Sequence, residues 1–462
     1  VILSQKAQNI ERKDFMQKDL TQGNMLHILW TFSLPYLVAA FLQTFYGLAD
    51  LFIIGQYEGA AAITAVSVGS QVMHMVTVMI VGLSVGITVS ISRSLGAGQR
   101  ADASRYIGNG SVLFLIGSLA ATAVLVLLTR PILGVLQTPV EAYEEAYRYL
   151  LTCFLGLPLI MAYNVIASIL RGQGDSRSPM IFVAIAGLFN IGLDVLFIGP
   201  FHMSAFGAAL ATVLSQGLSV VIALFAIKRF HLSLPVSLAD LRPDRAKLRN
   251  ILQVGVPILC QEGFIQISFL VITVIVNMRG VVDAAAVGIG EKLITFLFLV
   301  PSSMMSSVSA IAAQNAGAGL HERSRQALRY AITAGVTYGL VVTLFFWAAA
   351  PKVMALFTTD TAIITKGSQY LYSYITDCMF ASVHFCFSGF FSAYRKSLYA
   401  FAHNVISILT VRIPGAWFAS VWFPDTLFPL GIAAPLGSLL SGVICYILYH
   451  RYFSRLFTRP AP

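Results

Sequence analysis

Apolar stretches long enough to cross a bilayer recur along this chain, and that recurrence constrains its fold more than any other feature. About twenty apolar residues in a helix span the hydrocarbon core. Lipid offers the backbone no hydrogen-bond partners, so only helices or a closed barrel can cross it. A barrel would show alternating segments of about ten residues, whereas these runs are longer and continuously apolar. The expected fold class is therefore an all-α polytopic membrane protein. Composition agrees, with 57% of the 462 residues hydrophobic and 11% charged; soluble domains carry about a quarter charged.

Twelve spans are expected. The first six lie near 28–54, 62–91, 107–129, 147–169, 179–199 and 205–227, and the second six near 251–277, 284–313, 328–350, 369–393, 399–421 and 429–450. Pro35, Pro158, Pro257 and Pro414 fall inside spans and mark expected bends. Of the 30 basic residues, 23 lie on one set of ends and loops and 5 on the other. That imbalance places both termini and the 228–250 linker in the cytoplasm of a plasma (inner) membrane protein. No cleavable leader is expected, because the first apolar run is too long and lacks a small-residue cleavage site. Residues before Met16 are polar and are set aside from the fold.

The net charge of +10 does not indicate a nucleic-acid partner, because its basic residues flank membrane spans rather than forming a separate domain. All five cysteines lie in apolar runs without a Cys-x-x-Cys pair, so small packing residues are expected and not disulfides or zinc ligands. No Walker A pattern occurs, and no soluble domain is large enough for an ATPase. Energy for any transport should then come from an ion gradient.

The two halves repeat each other. Pro35 matches Pro257, Ala65-Val-Ser-Val-Gly69 matches Ala286-Val-Gly-Ile-Gly290, Leu95-Gly-Ala-Gly98 matches Ala316-Gly-Ala-Gly319, and Pro131 matches Pro351, at offsets of 220 to 222. Six spans per half, both starting on the cytoplasmic side, make the repeats parallel, with a pseudo-two-fold along the membrane normal. The expected organisation is a cytoplasmic segment 1–27, an N-lobe 28–227, a linker 228–250, a C-lobe 251–450 and a tail 451–462.

Acidic residues break this symmetry. A carboxylate in hydrocarbon costs a few kcal/mol by insertion scales and is functional by default. Asp50 lies in span one and Asp194 in span five, with Asn190 four residues earlier on the same helical face. Thr212 starts span six at a matching depth. Together they would gather two carboxylates, an amide and a hydroxyl, as proton binding or Na⁺ coordination requires. At an offset of 221, Asp50 faces Val271 and Asp194 faces Gly415, so the site belongs to one half. The plainer reading is that each aspartate caps or bonds a broken helix.

Glu262, Gln266, Glu291, Lys292 and Arg412 form the polar set of the second half. Two readings stand for them: a second site contacting substrate or coupling ion, or a neutral cluster in which Arg412 and Lys292 pair with Glu262 and Glu291. Asp377 is expected to be solvated near the outer end of span ten, and His384 to be either a titrating group or a satisfied core histidine. The candidate substrate contacts are Gln43, Tyr46, Glu262, Gln266, Glu291, His384 and Arg412.

From about Leu20 to Tyr452 the chain resembles the MATE family of multidrug and toxic compound extrusion transporters, most closely its prokaryotic DinF-like branch. The resemblance is carried by Thr21-Gln-Gly-Asn24, Gln43-x-x-Tyr46-x-Leu-x-Asp50, Leu95-Gly-Ala-Gly98, Leu170-Arg-Gly-x-Gly174-Asp175 and Asn190-x-x-Leu-Asp194. It implies a V-shaped pair of six-helix lobes exporting organic, often cationic compounds against H⁺ or Na⁺. It also implies an N-lobe cation site at Asp50, Asn190, Asp194 and Thr212. Other branches use a span-seven Glu and a span-ten Asp; Glu262 lies about one turn nearer Pro257 than that Glu, and the span-ten position falls near His384. The expectation is a monomeric secondary antiporter with no enzyme activity. It needs no cofactor beyond the coupling H⁺ or Na⁺, and no metal beyond Na⁺ held at Asp50, Asn190 and Asp194. The rivals are a flippase for lipid-linked precursors or polysaccharides, and a membrane scaffold or receptor.

Overall fold

The computed structural model describes residues 19–457, so the first 18 residues of the expected N-terminal segment and the last five of the tail lie outside it. The described residues contain helices and no strand. In the first half these are α1 (Met25–Tyr57), α2 (Ala60–Gly96), α3 (Arg100–Val135), α4 (Val140–Leu155), α5 (Leu157–Gly172), α6 (Arg177–Ile198) and α7 (Ser204–Phe230). The second half has α8 (Arg245–Asn277), α9 (Val281–Leu297), α10 (Leu299–Gly317), α11 (His321–Met354), α12 (Thr361–Tyr374) and α13 (Asp377–Ala393). It ends with α14 (Ser397–Ser407), a π-helical turn (Ile408–Arg412), α15 (Ile413–Trp422) and α16 (Phe428–Phe457).

Among the described residues, ten helices or fused helices are long and apolar enough to cross a membrane, and the bent pair α4–α5 makes an eleventh. The pair α12–α13 stands where the tenth expected span lies, which accounts for the twelve-helix architecture. Most helices run several residues past the expected spans, because polar end turns such as Arg100–Tyr106 and His321–Arg329 are helical too.

A shift of 221 residues carries the first half onto the second. It takes Ala60–Gly96 to 281–317, the extent of α9 and α10, and takes the α4–α5 break at Gly156 to Asp377, where α13 begins. One hydrogen bond recurs in both copies. The Thr122 hydroxyl donates to the Phe154 carbonyl at 3.1 Å, and that of Thr343 reaches the equivalent Ile375 carbonyl at 3.5 Å. Proline explains the first: Pro158 has no N–H for the carbonyl four residues before it. Pro301 likewise frees the Leu297 carbonyl, which takes the Tyr338 hydroxyl at 3.1 Å. Neighbouring helices thus satisfy what each break exposes.

Of the four expected bends, Pro158 follows a 48° break, and Pro414 follows the π-turn. Pro35 and Pro257 lie inside the unbroken helices α1 and α8.

Two compact units emerge. One takes residues 34–252, the other 21–33 and 253 onward, so the division falls within α1 and α8 rather than in the 228–250 segment. That segment is fastened to the first unit. Asn109 donates to the carbonyls of Asp240 and Arg242 at 3.1 and 3.2 Å and accepts from the Asp244 amide at 2.6 Å. Gln173 accepts from the Leu234 amide at 2.9 Å, and Lys247 pairs with Asp102 at 2.7 Å. A side chain on Gly108 would stand 2.3 Å from the Asp240 carbonyl oxygen, so glycine permits the docking.

Each unit has its own apolar core. In the first, Ile54, Ala65, Val66, Tyr149, Leu150 and Phe154 are buried together; in the second, Val287, Tyr370, Leu371, Ile375 and Leu430 are. Gly389 lets α13 approach α10 so closely that a Cβ there would lie 2.2 Å from the Met305 carbonyl oxygen. A mid-helix Gly→Ala change ordinarily stabilises by about 1 kcal/mol, and overpacking costs about 1–3 kcal/mol. Because the obstruction is backbone, overpacking should win. Gly389→Ala is therefore expected to lower the thermal unfolding midpoint in detergent; an unchanged or raised midpoint would contradict this helix contact.

The linker carries a pH dependence of its own. The Ser237 hydroxyl and amide bond the Asp240 carboxylate and hold its pKa below the usual carboxylate range. A depressed folded-state pKa stabilises above the unfolded pKa and is lost as pH falls through the folded one. Hydrogen exchange at residues 237–240 should accordingly be slowest, relative to its intrinsic rate, above the ordinary aspartate range. It should rise in acid.

Candidate functional site

The polar centre of the first unit is built from three pairs of side chains, each pair one helical turn apart. Tyr46 and Asp50 lie on α1, Asn190 and Asp194 on α6, and Thr212 and Gln216 on α7. Spacing i, i+4 puts both members of a pair on one helix face. Small residues let these helices meet. A Cβ on Gly187 of α6 would stand 3.2 Å from the Tyr46 ring, and Ala208, Ala209 and Ala211 of α7 are wholly buried.

Asp50 is 3% exposed, and Asn190 and Asp194 are 0% exposed. The Thr212 hydroxyl lies 3.0 Å from the Ala208 carbonyl and 3.4 Å from Asp50 Oδ2. It has one proton to give, so the shorter backbone contact leaves Asp50 the weaker share. The carboxyls of Asp50 and Asp194 stand close enough to interact directly. Asp50 Oδ1, both oxygens of Asp194, both amide atoms of Asn190 and Gln216 Oε1 are buried without a hydrogen-bond partner. Among the described residues neither aspartate forms an ion pair. Buried polar groups are ordinarily satisfied, so this concentration sets the cluster apart from the apolar core around it. Two carboxylates facing each other away from water can share a proton or clasp a cation.

The structure thus brings Asp50, Asp194 and Thr212 together, with Asn190 buried one turn before Asp194 on α6 and Tyr46 one turn before Asp50 on α1. The Tyr46 hydroxyl accepts from Gln216 Nε2 at 3.1 Å. Gln216 was missed from the sequence, although its place one turn after Thr212 was a usable signal. Gln43 is half-buried, and no contact draws it into this network.

In the second unit the 221-residue shift turns the Asp50, Asn190, Asp194 and Thr212 positions into Val271, Val411, Gly415 and Ala433. Val271 and Ala433 pack in the apolar core, and a Cβ on Gly415 would lie 3.3 Å from that of Ala433. Helix contact replaces the polar cluster there.

The polar residues of this unit gather elsewhere. Asp377, His384 and Arg412 line one cavity, and Glu262, Gln266 and Glu291 are not among its lining residues. Asp377 is 1% exposed, which corrects its expected solvation: the break between α12 and α13 turns this first-turn residue inward. Arg412 and Lys292 do not pair with Glu262 and Glu291. Arg412 donates to the Tyr374 hydroxyl at 2.6 Å and lies over the Phe269 ring, and Lys292 is exposed. Glu262 and Gln266 are half-buried on α8, and Glu291 Oε1 is buried without a partner. His384 Nε2 lies 3.3 Å from the Ser438 hydroxyl, while its Nδ1 has no partner.

The Tyr46–Gln216 contact can be measured. Leaving one partner of a buried bond costs about 1–3 kcal/mol, and removing both can cost far less. Tyr46→Phe and Gln216→Leu should each lower thermal stability, and the double variant should fall short of their sum. Additive losses would show that the contact contributes nothing.

Comparison with known proteins accords with this architecture. The MatE family model matches residues 35–196 and again 257–418, the same repeat read twice. A Bacillus subtilis relative described as a probable multidrug resistance protein, YpnP, is 30% identical, covering 94% of this chain and 96% of its own. A Shewanella oneidensis FAD transporter is 26% identical over 92% of this chain and 94% of its own. The solved structure of a MATE protein in complex with MaL6 superposes with a TM-score of 0.88 at 22% identity, covering 96% of this chain and 99% of that one.

Proposed function

Because the chain belongs to the MATE family and is a multi-pass membrane transporter, we propose that it is a secondary antiporter. It exports organic, cationic and lipophilic compounds in exchange for H⁺ or Na⁺ by alternating access. The observation that carries this reading is the pair of buried carboxylates, Asp50 and Asp194, with no cationic side chain paired to either.

A cation entering the pair offsets two mutually repelling charges and draws α1 against α6 and α7. Asn190 supplies an amide oxygen for Na⁺ or an N–H for a carboxylate, and Thr212 supplies a hydroxyl that serves either ion. Tyr46 lies one turn from Asp50 and is tied to Gln216, so a shift at the carboxylates reaches an aromatic contact for substrate. Release of the ion leaves the carboxylates repelling and loosens α1. Exchange follows when substrate occupancy and ion occupancy favour different settings of that helix. The excess of basic residues on one set of loops supports a plasma-membrane orientation with both termini cytoplasmic.

A second reading, export of a flavin nucleotide, is favoured by the description of the Shewanella relative. Both share the coupling step and differ in cargo.

The test is dye transport in proteoliposomes with a proton or a sodium gradient imposed separately. Asp50→Asn and Asp194→Asn should each reduce gradient-driven flux at least about tenfold while the protein stays folded, equivalent to about 1.4 kcal/mol or more. Thr212→Ser should keep most of the flux and Thr212→Val should lose part of it. Full flux in both Asn variants would overturn the assignment.

A further inference from the structure

The cavity of the second unit holds a separated pair of opposite charges. Its volume is about 40 Å³, room for a few waters or one amide-sized group. Asp377 and Arg412 both line it, yet no ion pair within 4.0 Å joins them among the described residues. Neither oxygen of Asp377 makes a well-formed hydrogen bond, and neither Arg412 Nε nor His384 Nδ1 has a partner. Asp377 is 1% and His384 5% exposed, so bulk water does not satisfy them. Asn404 and Ser438 add polar groups to the wall, and Phe269, Phe298 and Phe385 add aromatic surface to it.

Local backbone geometry fixes the cation in place. Pro414 cannot continue the α-helical bonding pattern, and the chain widens before it into the π-turn Ile408–Arg412. There the Ile413 amide reaches back five residues to the Ile408 carbonyl. Single π-turns inside helices often mark functional positions. Arg412 ends this turn, held by the Tyr374 hydroxyl and the Phe269 ring, which lies 4.6 Å from the guanidinium carbon. Gly437 makes room across from it, since a Cβ there would lie 3.4 Å from that of Arg412. On the other side of the cavity Asp377 is held in the first turn of α13, where the helix dipole favours a negative charge.

An anion alone would meet Asp377, and a cation alone would meet Arg412. The wall instead presents an acceptor and donors together, beside aromatic faces. We propose that this cavity is a substrate subsite for the edge of a planar, lipophilic imide or cyclic amide. Its N–H would donate to Asp377, and its flanking carbonyl would accept from Arg412 or His384. Such an edge would bridge the separated charges and release the waters between them. This rests on the export reading above but not on the cation site of the first unit, and it extends the cargo from cations to neutral heterocycles.

The experiment is equilibrium binding to the purified full chain in detergent, with no ion gradient. The probes are fluorescent 1,8-naphthalimide, its N-methyl derivative and tetraphenylphosphonium. Naphthalimide should bind at least tenfold more tightly than the N-methyl compound, a comparison made on the unaltered protein. Asp377→Asn and Arg412→Gln should each weaken naphthalimide at least tenfold and leave tetraphenylphosphonium within twofold. Equal affinity for the two naphthalimides, absence of naphthalimide binding, or the same loss for both ligand classes would overturn the proposal. Asp50→Asn should keep the tenfold preference for naphthalimide over its N-methyl derivative, so failure of the coupling assignment and failure of this one are told apart.

Discussion

Desolvated carboxylates without cationic partners are what the first unit is built around. Moving one charged group into hydrocarbon costs a few kcal/mol by insertion scales, and two together add their mutual repulsion. Asp50 and Asp194 are nonetheless buried, and Thr212, whose hydroxyl lies 3.4 Å from Asp50, is neutral. A basic residue placed between them would settle the electrostatics permanently, and among the described residues none does. The unit instead holds α1, α6 and α7 together through small residues and apolar packing, which tolerates a charge state that changes. Stability comes from the helix contacts, and the polar cluster is left open.

The second unit handles the same problem differently. Its copy of that position is filled by Val271 and by the close approach of Gly415 to Ala433. The charges that line its cavity sit instead at the α12–α13 break and the π-turn, two places where helical regularity fails. A shared scaffold therefore carries two unlike polar sites, one made of acids alone and one made of an acid and a base held apart.

Much of this was legible in the sequence, and the reasons are specific. The spans were readable because lipid leaves the backbone no alternative to the helix, so apolar length alone decides. The repeat was readable because Pro35 and Pro257, and the Gly-Ala-Gly pair, stand at nearly one offset. Asp50, Asn190, Asp194 and Thr212 could be grouped because i, i+4 spacing and a common depth are properties of a helix in a membrane. Contacts between helices were less accessible. The solvation expected of Asp377 failed because depth along a span says nothing about which way a break turns the chain. Pairing of Arg412 and Lys292 with Glu262 and Glu291 was a matching of charges, and among the described residues no such pair comes within 4.0 Å. The break at Phe298 had a cue in Pro301, yet a proline in a span does not say whether the helix will bend or absorb it; Pro35 and Pro257 are absorbed.

A single acidic pair in one unit, with apolar residues in its place in the other, bears on the stoichiometry of exchange. Two identical halves would carry two such pairs or none; here there is one. If that pair carries one proton while a monovalent cation leaves, the cycle moves no net charge and only the pH difference drives it. If it carries two, each turnover moves one charge inward, and the membrane potential adds about 2.3 kcal/mol per 100 mV. On the proposed antiport, the number of ions the pair holds thus decides whether transport responds to voltage. The Val271, Gly415 and Ala433 positions give the second unit no copy of that pair.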